Sequence, residues 1–248
     1  MFKMKTNQTS YVTKLLYWKG PETFEYTSIF IELIKNCETF FDVGANTGYY
    51  SLMAAKANKK IKIHGFEPSS GPLHYLNENV SLNGFEDQVT IHPIALSSSK
   101  GTATFYEVAN RKYSYLKHNL GGVGSLKQDR LKNSFAVKTE TLDQFVAIHN
   151  INNIDLIKID TEGTEHMILL GATNVISEAR PIIICETLFN KIEAELEAIM
   201  KTHGYLFFNH ESGKLSQVKT LIRHTDNGVR DCFFVHPTKL YMIKRFIA

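Results

Sequence analysis

At 248 residues the chain is long enough for one sizeable domain with additions. Its net charge of +3 is neutral on nucleic acid, but no run of Lys and Arg is long enough to form a phosphate-tracking face, so a nucleic-acid partner is not expected. The longest apolar stretches are strand-sized and the basic N-terminus has no apolar core of signal-peptide length, which excludes a helical membrane span and points to a cytoplasmic protein. Cys37, Cys185 and Cys232 are too widely spaced for zinc or redox motifs. The last two sit in apolar runs, as small buried hydrophobes do.

In chain order, 11–36 reads as an N-terminal addition, with Phe30, Leu33, Ile34 and Cys37 on one helix face. A strand, a tight turn and a helix follow over 39–57. The apolar run Phe40-Phe41 leads into Asp42-Val43-Gly44-Ala45-Asn46-Thr47-Gly48, and helical spacing resumes through Leu52 and Met53. Two glycines suit a turn whose backbone residues with a Cβ resist, and a ligand would sit over it, near the helix N-terminus. A dinucleotide fingerprint needs a glycine where this chain has Asn46, and no phosphate loop of the G-x-x-x-x-G-K type occurs. The turn therefore suits a nucleoside ligand without phosphates, for which S-adenosylmethionine is the candidate. A second strand, 61–67, ends in Glu67, about 20 residues past the turn, where a carboxylate accepts hydrogen bonds from ribose hydroxyls.

A helix over 73–82 and a strand over 89–94 come next, leading into Ala95-Leu96-Ser97. Strands at 102–108 and 135–139 bracket a polar insert, 109–134. A loop this long in a compact domain is usually functional or disordered, and of the two it is read here as covering substrate. A helix at 141–149 precedes the apolar strand 154–160. After a helix beginning near Thr164, the strand 181–186 has the continuous apolar character of a buried parallel strand. A charged helix spans 190–203, and 205–208 and 231–235 are the last strands. Alternating strands and helices define an α/β fold around a mostly parallel sheet.

The second chemical feature is Asp160-Thr161-Glu162-Gly163-Thr164-Glu165-His166, at the end of a strand and just before a helix. In open α/β sheets that is the crevice side. Like charges this close raise some pKa values or attract a cation, so the cluster suits a general base for a hydroxyl or, alternatively, a hard divalent ion. Glu165 is read as complementing the helix dipole, and Asp160 and Glu162 as facing the cleft. His166 is read as a packed or solvated residue rather than a base. Glu186 borders the same cleft, in a structural or substrate-binding role.

Together, Asp42-Val43-Gly44-Ala45-Asn46-Thr47-Gly48, Phe66-Glu67-Pro68, Ala95-Leu96-Ser97 and Ile159-Asp160-Thr161-Glu162-Gly163-Thr164-Glu165 resemble the FkbM-type methyltransferases, over approximately residues 39–190. The resemblance implies a class I methyltransferase fold, Rossmann-like, with a seven-stranded sheet whose last strand is antiparallel, and a domain over 37–248 behind the helical addition 1–36. It implies S-adenosylmethionine as cofactor. Asp42, Gly44, Ala45, Asn46 and Gly48 would shape the pocket for its methionine part, Glu67 would take the ribose, and Ala95 and Leu96 would lie by the adenine. Asp160 and Glu162 would lie where the methyl group meets its acceptor, one of them as base, with no metal assigned. The acceptor expected is a hydroxyl of a sugar, glycan or other natural product. Tyr106 and the insert residues Tyr113, Tyr115, Lys117, His118 and Asn119 offer rings and polar groups suited to a carbohydrate. A nitrogen acceptor, a nicotinamide oxidoreductase and a binding module without catalysis remain as rival readings, and an oligomer stays open.

Overall fold

The computed structural model of the chain describes residues 2–20, 24–107, 116, 118, 120, 124–126 and 133–248. Two helices lead, α1 (Tyr11–Lys19) and α2 (Thr27–Ile34). Strands and helices then alternate: β1 (Thr39–Val43), α3 (Tyr49–Ala57), β2 (Lys62–Phe66), α4 (Ser70–Asn83) and β3 (Val89–His92). Four strands follow, β4 (Ala95–Leu96), β5 (Gly101–Glu107), β6 (Gly124–Ser125) and β7 (Asn133–Glu140). The alternation resumes with α5 (Leu142–His149), β8 (Leu156–Ile159), α6 (Glu165–Leu170), α7 (Thr173–Glu178), β9 (Ile182–Glu186) and α8 (Glu193–Thr202). The last elements are β10 (Leu206–Glu211), β11 (Lys214–Val218), β12 (Asp231–Val235) and the short α9 (Leu240–Ile243).

Among the described residues the main sheet has eight strands in the order β11-β10-β12-β9-β8-β1-β2-β3. Strands β3, β2, β1, β8 and β9 pair in parallel, and β12 runs antiparallel to both β9 and β10. The seven strands expected from the sequence are all present. The eighth, β11, extends the edge through a two-residue hairpin in which Ser212 and Gly213 both have positive φ, the geometry that matches the twist of paired strands.

Successive strand residues point to opposite faces. On β1, Phe40 packs under α2 and α3, whereas Phe41 and Val43 join the core on the other face. Charged residues at strand ends fix register. Asp155 Oδ2 accepts from the Glu38 and Thr39 N–H groups at 2.7 and 3.2 Å, pinning the start of β1 beside β8.

From β1 the chain steps outward to β2 and β3, then returns to the far side of β1 for β8 and β9. The gap between the C-terminal ends of β1 and β8 is therefore the topological switch point, where open α/β sheets bind ligands. The second sheet, β4-β7-β5-β6, is built on the antiparallel β5–β7 pair and has its own small core of Ala95, Phe105 and Val137.

The N-terminal elements are bound into this frame. Phe24, Tyr26, Ile29, Phe30, Leu33, Ile34 and Cys37 are buried in the core shared with α3 and β1. The segment before α1 runs beside α4. Lys5 N–H donates to Asn79 Oδ1 at 2.5 Å, and Asn79 Nδ2 donates to the carbonyls of Lys5 (3.1 Å) and Thr47 (2.9 Å).

Candidate active site

The turn after β1 exists because two backbones nearly touch. Gly44 has φ +74°, and a Cβ there would lie 1.9 Å from the Asp160 carbonyl oxygen. Asn46, at φ +51°, accepts from Thr47 N–H through its own Oδ1 at 2.8 Å, a local bond that suits Asn to the left-handed region. Its N–H donates to Glu67 Oε2 at 2.9 Å, and Ser69 N–H donates to Glu67 Oε1 at 2.9 Å. Glu67 thus ties the turn to the end of β2. Burial pushes its carboxyl up to about 7, against the opposing pull of those two N–H groups and of Lys158.

Beside the turn stands the end of β8. Lys158 is 4% exposed and opposite Asp42 in the β1–β8 register. Its Nζ donates to Asp160 Oδ2 at 3.3 Å and lies 3.7 Å from Asp42 Oδ1. Burial alone would lower the Lys158 pKa, but Asp160, Asp42 and Glu25 outweigh it and hold the ammonium above the usual lysine range. Asp42 Oδ2 accepts from Ser51 Oγ at 2.7 Å. Burial raises the Asp42 pKa, and Lys158 and Ser51 oppose that rise.

The loop after Asp160 is organised from below. Glu165 is fully buried and its Oε1 accepts from Thr161 N–H (2.8 Å), Thr161 Oγ1 (3.0 Å) and Gly163 N–H (3.1 Å). Besides standing in the first turn of α6, it therefore shapes the loop that carries Glu162. Glu162 has φ +61°, and its carbonyl accepts from Ser125 Oγ at 3.2 Å, joining the second sheet to this loop. Glu186, at the end of β9, is pushed up to about 10 by burial first and then by Asp160, Glu162, Glu165 and Asp231. Among the described residues no group of three or more His, Cys, Asp and Glu is placed to hold a metal ion.

These elements surround a cavity of roughly 320 Å³. Of the residues singled out in the sequence, Gly44, Ala45, Asn46, Glu67, Ala95, Leu96, Asp160 and Glu162 line it. Asp42 and Gly48 do not. Asp42 is buried behind Lys158, and Gly48 sits at the start of α3, where a Cβ would meet Leu76 Cδ1 at 2.6 Å. His166 and Glu186 are also outside the lining, and His166 Nδ1 is buried with no hydrogen-bond partner among the described residues. Phe66, Pro72, Ile94, Phe105 and Leu126 are among the cavity's apolar lining.

Sequence reading missed Lys158, Glu25 and the start of α1. Lys158 had a signal, a lone cation inside an otherwise apolar buried strand. Glu25 had none: it reaches the cavity from the α1–α2 connection at φ +46°, and its Oε2 accepts from Tyr50 OH at 2.6 Å. Ser10, Tyr11 and Val12 line the cavity from the start of α1. Of the insert, Tyr113, Tyr115, Lys117 and Asn119 lie outside the described residues. His118 stacks on His74 with centroids 3.9 Å apart, and Leu120, which lines the cavity, donates its N–H to Thr9 Oγ1 at 2.8 Å. Tyr106 pairs with Ser125 across β5 and β6 and is not in the lining.

The sheet order, the reversed β12 and a cavity over the β1–β8 switch point define a protein of the class I methyltransferase architecture. A solved methyltransferase FkbM from Methylobacillus flagellatus superposes with a TM-score of 0.52 at 16% identity, covering 80% of this chain and 43% of that one. A putative caffeoyl-CoA O-methyltransferase from Staphylococcus aureus gives a TM-score of 0.50 at 12% identity, covering 93% of both chains. These likenesses establish the fold. Residues 42–207 match the Methyltransferase FkbM domain, and the chain belongs to that family of methyltransferases. Methyltransferase sdnD of Sordaria araneosa is 28% identical over 186 residues, covering 66% of this chain and 72% of sdnD. The 31-O-demethyl-FK506 methyltransferase FkbM of Streptomyces tacrolimicus is 23% identical over 214 residues, covering 75% and 82%.

Proposed function

We propose that the chain transfers a methyl group from S-adenosylmethionine to a hydroxyl oxygen of a sugar, glycan or other natural product. The observation that carries this reading is a single cavity lined by the Gly44–Asn46 turn, Glu67, Ala95, Leu96, Asp160 and Glu162. Its volume of roughly 320 Å³ lies within the range of small-ligand sites. The donor set fits the cofactor. Apolar lining residues suit a base, Glu67 is a buried acceptor suited to ribose hydroxyls, and ionic groups suit the amino-acid end. When bound, the cofactor supplies an electrophilic methyl on a sulfonium.

The chain's contribution is alignment, exclusion of water and removal of one proton. Alignment alone lowers such barriers by about 7–11 kcal/mol. An alcohol is a weak nucleophile, so a carboxylate of Asp160 or Glu162 takes its proton as the O–C bond forms and the C–S bond breaks. Asp160 has 44% of its side chain exposed, so it is open to the cavity and to an incoming acceptor. Support for an oxygen acceptor also comes from the Streptomyces relative, whose name specifies a 31-O-demethyl substrate. Asp160→Asn or Glu162→Gln is expected to keep S-adenosylhomocysteine binding while lowering turnover about 10²–10⁴-fold. Full activity in both variants would refute the assignment of the base.

A further inference from the structure

Among the described residues, Lys158 is the one Lys or Arg that lines the cavity. It is too buried to be a solvated surface charge, and its hydrogen bonding is thin for a buried ammonium. Three N–H groups need acceptors. One reaches Asp160 at 3.3 Å, and the Asp42 oxygen, at 3.7 Å, lies beyond hydrogen-bond range. Asp42 Oδ1 is itself buried with no hydrogen-bond partner among the described residues, so the pair is a charge contact only. A buried charge is costly unless it is paired and hydrogen-bonded, so this arrangement suits an additional anionic acceptor on the cavity side.

We propose that Lys158 anchors the α-carboxylate of the cofactor's amino-acid end, an inference that rests on the cavity's being the S-adenosylmethionine site. The α-carboxylate is the donor's one anionic group, whereas its ammonium and sulfonium are cationic and its nucleoside is neutral. The acids around the same cavity, Glu25, Asp160 and Glu162, complement those cationic groups. Asp42, behind Lys158, keeps the ammonium charged and aimed. The competing role is internal: Lys158 would only balance Asp42 and Asp160.

Calorimetry on the full chain separates the two with a pair of ligands. One is S-adenosylhomocysteine. The other is its decarboxylated analogue, 5′-deoxy-5′-(3-aminopropylthio)adenosine. Both lack the sulfonium, so removing a lysine leaves no sulfonium repulsion to confuse the result. The wild type should prefer S-adenosylhomocysteine by about 30-fold, ~2 kcal/mol at ~1.4 kcal/mol per decade, the scale of a hydrogen bond to a charged group. Lys158→Met should erase that preference by weakening S-adenosylhomocysteine alone. The double variant Asp42→Asn with Lys158→Met removes the buried pair together and guards against misfolding of the single variant, with thermal melts reporting the fold. Equal weakening of both ligands in the variants, or a preference that survives them, would overturn the proposal. If the wild type bound neither ligand, the cofactor reading beneath it would fail instead.

Discussion

Glu67 performs two tasks with one carboxylate. Its oxygens hold the N–H groups of Asn46 and Ser69, which sets the turn, and in the proposed function it also accepts from ribose hydroxyls. Each ionised oxygen has a second lone pair, so the tasks are compatible. They bring a pH dependence. Ribose hydroxyls donate to the ionised form, whereas burial pushes this carboxyl up to about 7 from 4.5. Ligand binding then expels a proton below pH 7, so affinity for S-adenosylhomocysteine should rise about tenfold from pH 6 to a plateau above pH 7. Glu67→Gln should flatten the profile. A wild-type affinity independent of pH between 6 and 8 would contradict the ribose role. The stability contribution has the opposite sign. The folded state keeps a proton that the unfolded chain has released, so this group's share of stability falls as pH rises from about 4.5 to 7.

At the scale of elements, the N-terminal segment and α4 form one unit with the turn. Asn79 is fully buried, and its amide joins the Lys5 backbone to the Thr47 carbonyl. Asn79→Ala would leave three backbone groups without these partners, the Lys5 N–H and carbonyl and the buried Thr47 carbonyl, at about 1–3 kcal/mol for each that water does not reach. Hydrogen exchange should show the Lys5 amide losing protection while the β1 amides keep theirs. Unchanged protection at Lys5 would mean that the segment is held by something else. None of this was legible in the sequence, because the bonds join a side chain to backbone 32 and 74 residues away. The strand–turn–helix at 39–57 was legible for the opposite reason, since hydrophobic period and glycines are local. Strand β11 escaped because Lys214–Val218 alternates weakly and carries polar residues, although Ser212-Gly213 is a hairpin signal. Lys158 was legible in principle, as a charge flanked by Ile157 and Ile159. Glu25 was not, because only the packing of its loop on Tyr50 brings it to the cavity.

For the whole molecule, one topological fact organises the rest. The chain leaves β1 in one direction and returns to its other side through β8, so two sequence-distant turns meet over a single crevice. Residues 44–46 arrive from one turn and 160–162 from the other, with the Gly44 and Asp160 backbones in contact. The second sheet contributes Ala95, Leu96 and Phe105, and the N-terminal elements contribute Tyr11 and Glu25. A nucleoside donor on the first turn and an acceptor facing the second would then meet at Asp160 and Glu162. A crystal structure with S-adenosylhomocysteine tests this most directly. The expected complex has ribose hydroxyls on Glu67, the adenine beside Leu96, and the thioether sulfur facing Asp160 and Glu162. A ligand seated elsewhere, or one whose sulfur faces neither carboxylate, would contradict it.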